Sequence, residues 1–315
     1  MFGNQSPFHY ANSVLEIFCS LALGASVYLL PAWGLTFPKK FVARLNERRV
    51  TELSMTPSSF VHLVNAGALG PGCLPELKCC VMSGESMPWQ PLREWMQAAP
   101  AADFWHFYGS TEAFCVAAGK VDRDLVYRPG ERLPVGRPFP MTHILFLDAE
   151  GREAAPGQPG EMYISSPWVS SGYYRDRERS AESWVNDPLG RGWHERFFRT
   201  GDLGYMREDG QLTVLGRQDH QIKHFGYRMD LGDVEAALRA VPQVRESCAL
   251  HQAESGRIFC FYAGDLDEKA LKKALKALLA AYMLPDVYVR LPEIPHTPNM
   301  KIDRASLKRR MQEQP

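Results

Sequence analysis

The sequence predicts an α/β protein with a parallel sheet, followed by a β-rich region and a small C-terminal α+β domain. Segments with helical and strand-like patterns alternate through the N-terminal part, which is typical of a parallel sheet covered by helices. The pattern changes near Arg137, where short strands alternate with turns rich in glycine and proline. It changes again after Gly216, where an amphipathic helix begins the last region. We therefore expect three regions: residues 1–136, 137–217 and 220–315.

Helices and strands can be placed one by one in the first region. The uncharged stretch at residues 17–33 is shorter than the about 20 residues of a membrane span. It predicts a buried helix, VLEIFCSLAL, that ends at Gly24, and then a buried strand, ASVYLL. The segment LNERRVTELSMTPSSFVHLV predicts a helix, a short strand and a second helix. CCVM and FWHFYG predict two more strands, with the helix PLREWMQAA between them.

The strands CCVM and FWHFYG both lead into polar turns that contain glycine, SGES and YGSTE. Because ligands bind at the carboxyl ends of parallel strands, we expect these turns to share one site. Gly109 would let the backbone approach a ligand closely. Ser110 and Thr111 offer hydroxyl and amide groups to phosphate oxygens. Tyr108 could stack on a base, and Glu112 is a hard oxygen ligand suited to Mg²⁺. An ordinary polar turn is the alternative.

Four charged residues further along the chain are candidates for the same site. Asp202 follows a Thr-Gly turn, where a carboxylate could accept two hydrogen bonds from a ribose diol. Arg217 lies just past a strand and could reach a phosphate. Asp219 lies at the change of pattern, and Lys301 lies in a tight turn, TPNMKIDR. Each has an ordinary explanation as a turn residue or a surface charge, but their joint occurrence with YGSTE is not expected by chance.

The last region predicts a small α+β domain. DVEAALRAV is an amphipathic helix, SCALHQ and RIFCFYAG are a strand pair, and VYVRL is a final strand. DEKALKKALKALLAAY predicts one long helix with lysines on the solvent side. Its opposite face would hold Leu271, Leu275, Leu278 and Leu279.

The composition indicates a globular protein without nucleic-acid or membrane partners. Of the 315 residues, 45% are hydrophobic and 23% are charged, which is enough apolar material for a core. Lysine plus arginine and aspartate plus glutamate each number 36, so the basic excess of a nucleic-acid binder is missing. Seven cysteines, an odd number without metal-type spacing, indicate reduced thiols and a cytoplasmic location.

The motifs together resemble those of the adenylate-forming superfamily, which includes acyl- and aryl-CoA synthetases, luciferases and the adenylation domains of nonribosomal peptide synthesis. FYGSTEA, RTGDL, GRQDHQIKHFGYRMDLGDVEAAL and NMKIDR occur in the family's order and at its usual spacing. The C-terminal segments are most similar to amino-acid adenylation domains, including the D-alanine–carrier-protein ligase branch. The resemblance implies a truncated adenylate-forming large domain followed by a mobile C-terminal domain.

The resemblance implies an ATP and Mg²⁺ site built on the two strand-end turns. Gly84 and Glu85 would lie beside the adenine, and Tyr108 would stack on it. Thr111 would contact the α-phosphate, and Glu112 would hold Mg²⁺. The neighbouring Gly109 and Ser110 belong to the same nucleotide-binding turn.

The resemblance also implies roles for the later motifs. Asp202 would bind the ribose hydroxyls, and Arg217 would bind the phosphate or ribose. Asp219 would be the hinge of the small domain, and Gly226 would line the channel for the acceptor thiol. Lys301 would bridge the carboxylate substrate and the α-phosphate, supplying positive charge where the transition state gathers negative charge.

The sequence departs from the family at its beginning. Family members carry a longer N-terminal part with a lysine-ending loop, rich in serine, threonine and glycine, that grips the β- and γ-phosphates. Neither that loop nor a GxxxxGK[ST] motif occurs here. We therefore expect a fragment, a partner chain or segment that supplies the loop, or a protein without full catalytic function. Apolar surface should then be exposed.

The substrate pocket differs as well. Amino-acid adenylation domains have an aspartate at the position of Ala11, where it pairs with the α-ammonium of the substrate. Because a buried ammonium without a counter-charge is costly, the alanine argues against an α-amino acid. His9, in the segment PFH, is similar to a histidine that lines the acyl pocket of acyl-CoA synthetases, or it is a packing residue.

The leading hypothesis is an acid–thiol ligase that uses ATP and Mg²⁺ to form an acyl-AMP from a small carboxylic acid, an amino acid or a related acid. The acyl group would pass to the phosphopantetheine thiol of an acyl or peptidyl carrier protein. One alternative is an acyl-CoA synthetase that uses free CoA. A second alternative is a non-catalytic remnant or interaction module.

Overall fold

The computed structural model describes residues 1–8, 10–31, 34–124, 132–192, 194–217, 221–296 and 302–312. The chain divides into two compact units, Met1–Gln218 and Asp219–Pro315. The first contains a mainly parallel sheet covered by helices and a smaller antiparallel sheet, and the second is a small α+β unit. The predicted fold class is confirmed.

A seven-stranded sheet forms the centre of the first unit. Its strands are β1 (Phe2–Asn4), β2 (Val27–Leu29), β3 (Glu52–Met55), β4 (Cys79–Ser83), β5 (Asp103–Ser110), β6 (Phe114–Lys120) and β7 (Arg137–Pro138). The spatial order is β2-β1-β3-β4-β5-β6-β7. The first five strands in this order are parallel, whereas β6 and β7 are antiparallel to their neighbours. The carboxyl ends of β4 and β5 therefore lie side by side.

Four helices connect the parallel strands: α1 (Ser13–Ala22), α2 (Pro38–Glu47), α3 (Pro57–Asn65) and α4 (Trp89–Ala98). Helices α2 and α3 both begin with proline, whose fixed φ suits the first helical position. Phe41 and Leu45 of α2 are fully buried in the same core as Phe60 and Trp95. The Trp95 indole nitrogen donates a hydrogen bond of 3.0 Å to the Phe60 carbonyl, which joins α4 to α3.

Helix α1 differs from the buried helix that the sequence predicts. It ends before Gly24 as expected, but its buried residues are Ser13, Glu16 and Ser20, and the apolar Phe18 is exposed. The strand β2 that follows is also not buried, because it is the edge strand of the sheet. In the part of the chain that the structure describes, no helix is long and apolar enough to cross a membrane.

The second sheet of this unit is antiparallel. Its strands are β8 (His143–Leu147), β9 (Gly160–Ser165), β10 (Trp184–Asn186), β11 (Arg196–Met206) and β12 (Leu212–Arg217), with helix α5 (Arg177–Ser183) before β10. The order is β10-β11-β9-β8, and β12 pairs with the other part of β11. Tyr108 and Val116 of the first sheet share one core cluster with Phe198 and Leu212 of the second. This shared core places β11 and β12 beside the end of β5.

The second unit has a hairpin and a three-stranded sheet. Its elements are β13 (Gln221–His224), β14 (Tyr227–Asp230), α6 (Leu231–Arg239), β15 (Val244–Gln252), β16 (Arg257–Gly264), α7 (Glu268–Leu275), β17 (Val287–Arg290) and α8 (Arg304–Gln312). Strand β16 lies between β15, to which it is antiparallel, and β17, to which it is parallel. Apolar clusters cover both faces of this sheet, one around α6 and α7 and one around α8.

Helix α7 is shorter than predicted. Asp267 caps its start, accepting a hydrogen bond of 2.7 Å from the Ala270 amide, but the helix ends at Leu275. Leu278, expected on the buried face, is 53% exposed. The segment after the helix contacts strand β13 instead. Nδ1 of the buried His224 lies 2.7 Å from the Tyr282 carbonyl oxygen. This long-range contact is not visible in the helical periodicity.

Two buried carboxyl groups lie where α1 covers the sheet. Glu16 is completely buried and Glu52 is 7% exposed. Among the described residues, none of their carboxyl oxygens has a hydrogen-bond partner of standard geometry. Burial raises the pKa of Glu16 from 4.5 to about 7, and burial together with the Glu16 charge raises the pKa of Glu52 to about 8. Both groups are therefore protonated in the folded protein well above the pH at which they ionise in the unfolded chain.

We predict that this pair makes the protein less stable as pH rises. Between pH 4.5 and about 8 the unfolded chain loses these protons while the folded protein keeps them, so the free energy of unfolding falls. Glu52→Gln should raise that free energy by about 2 to 4 kcal/mol at pH 8 and much less at pH 5. Urea unfolding at both pH values tests this, with the exposed Glu182→Gln as control. Equal effects at the two pH values would contradict the prediction.

Candidate active site

The turns SGES and YGSTE lie at the adjoining ends of β4 and β5, where Ser83 is in register with Phe107. Gly84 has a φ of +96°, which places it in the region that favours glycine. The buried His106 ring joins the two turns to a third segment. Its Nε2 lies 3.2 Å from the Glu85 carbonyl oxygen, and its Nδ1 lies 3.0 Å from the Pro134 carbonyl oxygen. The structure thus brings the two predicted turns together.

The Glu85 side chain points to the start of α3. Its Oε2 accepts a hydrogen bond of 2.8 Å from the Ser58 amide and a short one from the Ser58 hydroxyl. A carboxylate at this place satisfies an amide of the first helical turn and interacts favourably with the helix dipole. Glu85 therefore fixes the position of the turn after β4 relative to α3. The sequence did not indicate Ser58 as its partner.

Gly109 lies at an irregularity in the pairing of β5 with β6. A β-carbon at this position would lie 1.6 Å from the Phe114 carbonyl oxygen, so only glycine fits. Phe114 itself has a φ of +50°, an unusual value for a residue with a side chain. The Ser110 hydroxyl accepts a hydrogen bond of 3.3 Å from the Ala113 amide and closes the turn. Thr111, at the tip of this turn, is exposed.

Glu112 is a buried carboxylate, 7% exposed, at the end of the same turn. Its Oε1 accepts a hydrogen bond of 2.8 Å from the Tyr173 hydroxyl, and its backbone carbonyl accepts one of 2.7 Å from the Ser170 amide. The Tyr173 ring packs edge-on against Trp184, with ring centroids 4.9 Å apart. Tyr173 therefore orients Glu112, a role that sequence reasoning missed.

The Glu112 carboxylate has the chemistry of a Mg²⁺ ligand. In the described ranges, no group of three or more histidine, cysteine, aspartate or glutamate side chains could hold a metal ion. Mg²⁺ in nucleotide sites is commonly held by one or two carboxylates together with substrate phosphates and water. The buried, oriented Glu112 fits this kind of site and does not require further protein ligands.

Tyr108, Asp202 and Arg217 form one hydrogen-bonded network, here called the carboxylate network. The Tyr108 hydroxyl donates to Asp202 Oδ2 at 2.6 Å, and Arg217 Nη1 donates to Asp202 Oδ1 at 3.2 Å. Arg217 also donates to the Thr200 carbonyl at 2.8 Å. Burial and the Asp202 charge raise the pKa of the Tyr108 hydroxyl well above its usual range, so it remains a donor.

The sequence suggested that Asp202 follows a turn, but in the structure it does not. It lies within strand β11, where the register with β9 shifts between Arg199 and Leu203 and Gly201 has a φ of +72°. The Thr-Gly pair thus makes a bulge, a device that redirects a side chain from the regular strand. The Thr200 hydroxyl accepts a hydrogen bond of 2.9 Å from the Asp202 amide and donates one of 2.8 Å to the Met162 carbonyl.

The segment before α1 reaches the end of β4. Ala11 precedes Asn12, the residue at the N-terminus of α1. Asn12 Oδ1 accepts a hydrogen bond of 3.0 Å from the Ser83 hydroxyl, directly before Gly84. This contact brings Ala11 and Asn12 to the strand end that also holds the two turns. His9 lies outside the described residues.

The second unit contains Gly226 in the hairpin between β13 and β14. Phe225 and Gly226 have φ values of +49° and +82°, as in the tight two-residue turns of hairpins. Asp219 and Lys301 lie outside the described residues.

The described residues that flank residues 297–301 make defined contacts. His296 and Ile302 form an isolated β-bridge. Arg304 makes two hydrogen bonds to the Glu235 carboxylate, at 2.8 and 3.0 Å.

A family model described as AMP-binding enzyme matches residues 2–174. A linear gramicidin synthase polypeptide of Brevibacillus parabrevis is 35% identical over 95% of this chain, which covers 4% of that protein. The D-alanine–D-alanyl carrier protein ligase of Bacillus velezensis is 31% identical over 96% of this chain. The chain spans 61% of the length of that ligase.

Solved structures agree with these sequence matches. The structure of holo-PA1221, an NRPS protein that contains adenylation and PCP domains, superposes with a TM-score of 0.82 and 30% identity. The superposition covers 98% of this chain and 53% of that one. IdnL1 superposes with a TM-score of 0.80 and 27% identity, covering 93% of this chain and 61% of the other.

We predict that Gly109→Ala destabilises the first unit. The new β-carbon would overlap the Phe114 carbonyl, so β5 and β6 would have to separate at the turn. The expected loss is about 2 to 4 kcal/mol in the free energy of unfolding. Gly70→Ala is the matched control, because nothing lies within 4 Å of its added β-carbon. Urea unfolding of the two variants tests this, and equal stability would contradict it.

Proposed function

The chain belongs to the AMP-binding enzyme family, and from this premise we propose that it activates a small carboxylic acid with ATP. The product of the first step is an acyl-AMP with release of pyrophosphate. In the second step a phosphopantetheine thiol attacks the acyl-AMP, so that a thioester forms and AMP is released. The carboxylate network, adjoining the strand-end turns, is the observation that most supports this proposal.

The carboxylate network suits a ribose. An ionised carboxylate can accept about four hydrogen bonds, and Tyr108 and Arg217 together use two at Asp202. The two hydroxyls of a ribose can be accommodated at the remaining positions. Arg217 forms an ion pair with Asp202, and charge-assisted hydrogen bonds to a carboxylate are stronger than neutral ones. Gly84 and Glu85 would then lie beside the adenine, and the ring of Tyr108 would face it.

The phosphates would lie at the YGSTE turn. Gly109 lets β5 lie close to the Phe114 carbonyl and so shapes the turn, and the exposed Thr111 can reach the α-phosphate. Glu112 would hold Mg²⁺, which when bound offsets the negative charge of the phosphates. Because carboxylate and phosphate repel each other, holding them in line is a large part of the catalytic effect.

The second unit contains three residues with proposed roles. We assign Lys301 to the bridge between the substrate carboxylate and the α-phosphate. Asp219 would be the hinge about which the second unit rotates. Gly226 would line the path of the acceptor thiol. Alternation of a hinged domain allows one site to perform two successive reactions.

A carrier protein is the proposed acceptor, supported by the carrier protein ligase and by the adenylation–PCP protein among the matches. Free CoA is the alternative. Ala11 leaves an α-ammonium without the aspartate that amino-acid adenylation domains offer, so an acid without an α-amino group is favoured. The seven cysteines are free thiols, which suits the cytoplasm.

The chain spans 61% of the ligase that it matches, so we propose that a further segment or a separate chain supplies the loop for the β- and γ-phosphates. The proposed adenylation can be tested by measuring the exchange of pyrophosphate into ATP. This exchange should depend on an added acid. Exchange by the purified chain would rule out a non-catalytic remnant. Exchange only after the further segment is added would identify the chain as the larger part of an enzyme.

Lys301→Ala should reduce exchange by about 100-fold or more, because the transition state loses the cation aimed at its developing charge. Circular dichroism and the unfolding midpoint should stay unchanged. Lys308→Ala, an exposed lysine on α8, is the control and should retain full exchange. Unchanged exchange by Lys301→Ala would show that another residue has this role.

Tyr173→Phe should raise the Mg²⁺ concentration for half-maximal exchange by about 10-fold, because Glu112 loses the hydroxyl that orients it. The KM for the acid should be unaffected. The neighbouring Tyr174→Phe is a matched control, since Tyr174 is 86% exposed. Equal Mg²⁺ requirements of the two variants would show that the Tyr173 hydroxyl does not orient Glu112 for metal binding.

A further inference from the structure

A buried histidine joins the β13–β14 hairpin to a distant part of the second unit. His224 is the last residue of β13, directly before the turn at Phe225 and Gly226, and it is 3% exposed. Its Nδ1 lies 2.7 Å from the Tyr282 carbonyl oxygen, and its Nε2 lies 3.1 Å from Asp286 Oδ2. Both partners belong to the segment between α7 and β17, so this one ring connects the base of the turn to that segment.

Both ring nitrogens of His224 face acceptor oxygens. The Tyr282 carbonyl can only accept, and Asp286 Oδ2 already accepts a hydrogen bond of 2.7 Å from the Ile258 amide. A neutral imidazole has one N–H group and can therefore donate to only one of its two partners. Two donated hydrogen bonds require the imidazolium, which carries a hydrogen on each nitrogen. The contacts thus favour the charged ring, paired with an ionised carboxylate.

The surroundings of Asp286 favour its ionised form. Burial alone would raise the pKa of its carboxyl group. Hydrogen bonds from His224 and the Ile258 amide, aided by the charges of His224 and Arg257, together outweigh burial and lower this pKa below its usual value. A hydrogen bond from an imidazolium to a carboxylate is stronger than one between neutral groups. Breaking such a pair is costly because a buried charge is left behind, so the pair holds its two segments together.

Aromatic contacts support the same attachment. The Tyr227 ring of β14 stacks on the Tyr282 ring, with centroids 4.2 Å apart and an angle of 13° between the planes. The Phe225 ring centroid lies 4.2 Å from that of His224, within the distance at which a cation is attracted to an aromatic ring. Phe225 is nevertheless 62% exposed. The turn therefore presents an exposed side chain, while both strands below it are held.

A second histidine lies in the same cluster. Burial, together with the charge of His224, lowers the pKa of His251 on β15. The other described titratable groups around the pair are Tyr227, Glu254, Arg257, Tyr282 and Tyr288. Among all these neighbours, only histidine has an unperturbed pKa near neutrality. A response of the hairpin near neutral pH must therefore be assigned to His224 or to His251 by substitution.

We propose that His224 is a positioning residue for the thiol step, whose imidazolium and Asp286 clamp the β13–β14 hairpin and fix the turn at Gly226. The inference rests on the proposed function, in which Gly226 lines the path of the acceptor thiol. When His224 loses a proton, one ring nitrogen presents a lone pair to an acceptor oxygen. The clamp is therefore complete at low pH and is lost as pH rises through the titration of this ring.

The clamp is tested on the full 315-residue chain without ATP or thiol. NMR of the His224 ring and hydrogen exchange of the β13 and β14 amides are followed from about pH 5 to about pH 9. Each exchange rate is expressed relative to the intrinsic rate at the same pH. Protection of the hairpin should fall by about 10-fold or more, with the midpoint of the ring titration, because a hydrogen bond between charged groups is lost.

A ring that is neutral at the lowest pH, a ring that never titrates, or unchanged protection while the ring titrates would each overturn the proposal.

Variants identify the titrating group. His224→Gln keeps one donor but cannot become charged, so its hairpin should have low protection that does not depend on pH. His251→Gln is the matched control, and it should keep the pH-dependent protection. The reverse result would assign the effect to His251 and overturn the proposal. Asp286→Asn removes the charge that favours the imidazolium, so the ring should titrate at a lower pH than in the wild type.

The two reaction steps supply the functional test. The assay uses the acid that supports pyrophosphate exchange, with phosphopantetheine as the thiol. His224→Gln should leave pyrophosphate exchange within about 2-fold of the wild type but form thioester about 10-fold more slowly while His224 is charged. The two rates of thioester formation should converge at high pH. A ratio of rates that is the same at every pH would indicate a merely structural role and overturn the positioning role.

Failure of the clamp and failure of the proposed function are distinguishable. Because hydrogen exchange uses neither ATP nor thiol, a pH-dependent hairpin in a chain that forms no thioester would disprove the proposed function and leave the clamp intact. A hairpin that does not respond to His224, in a chain that forms thioesters, would disprove the clamp alone.

Discussion

The position of Asp202 between Tyr108 and Arg217 is the constraint on which the site depends. Tyr108 belongs to the parallel sheet, whereas Asp202 and Arg217 belong to neighbouring antiparallel strands. A largely buried carboxylate is costly unless donors surround it, so each donor restricts where its own sheet can lie. An apolar cluster with residues from both sheets packs the sheets together, and the Tyr108–Asp202 hydrogen bond adds a polar contact between them.

The surrounding residues show that most of the site is positioned indirectly. His106 contacts two carbonyl oxygens, Ser58 holds Glu85, and Tyr173 holds Glu112. Each of these residues belongs to a different element from the group that it positions. The turns are therefore fixed before any ligand arrives, which reduces the ordering cost of binding.

The sequence predicted elements well where their patterns are local and poorly where a distant contact decides. The strands CCVM and FWHFYG were visible as apolar runs that end in glycine turns. Tyr173 could not be assigned, because it is 61 residues from Glu112 in sequence. Helix α7 ends at Leu275 although the helical period continues, and Phe18 of α1 is exposed although it is apolar. Hydrophobic content alone predicts burial but does not identify the covering surface.

The charge balance of the carboxylate network leaves no free cation for the proposed reaction among its own members. Arg217 is already engaged by the Asp202 carboxylate and the Thr200 carbonyl, so its charge mainly offsets that of Asp202. The joining of a carboxylate to a phosphate requires a further cation at the reacting atoms. A lysine held permanently there would also stabilise the acyl-AMP. It would therefore slow the attack of the thiol in the second step. A lysine on a separate compact unit can be present for the first reaction and absent for the second, which fits the position of Lys301 beyond the boundary between the two units.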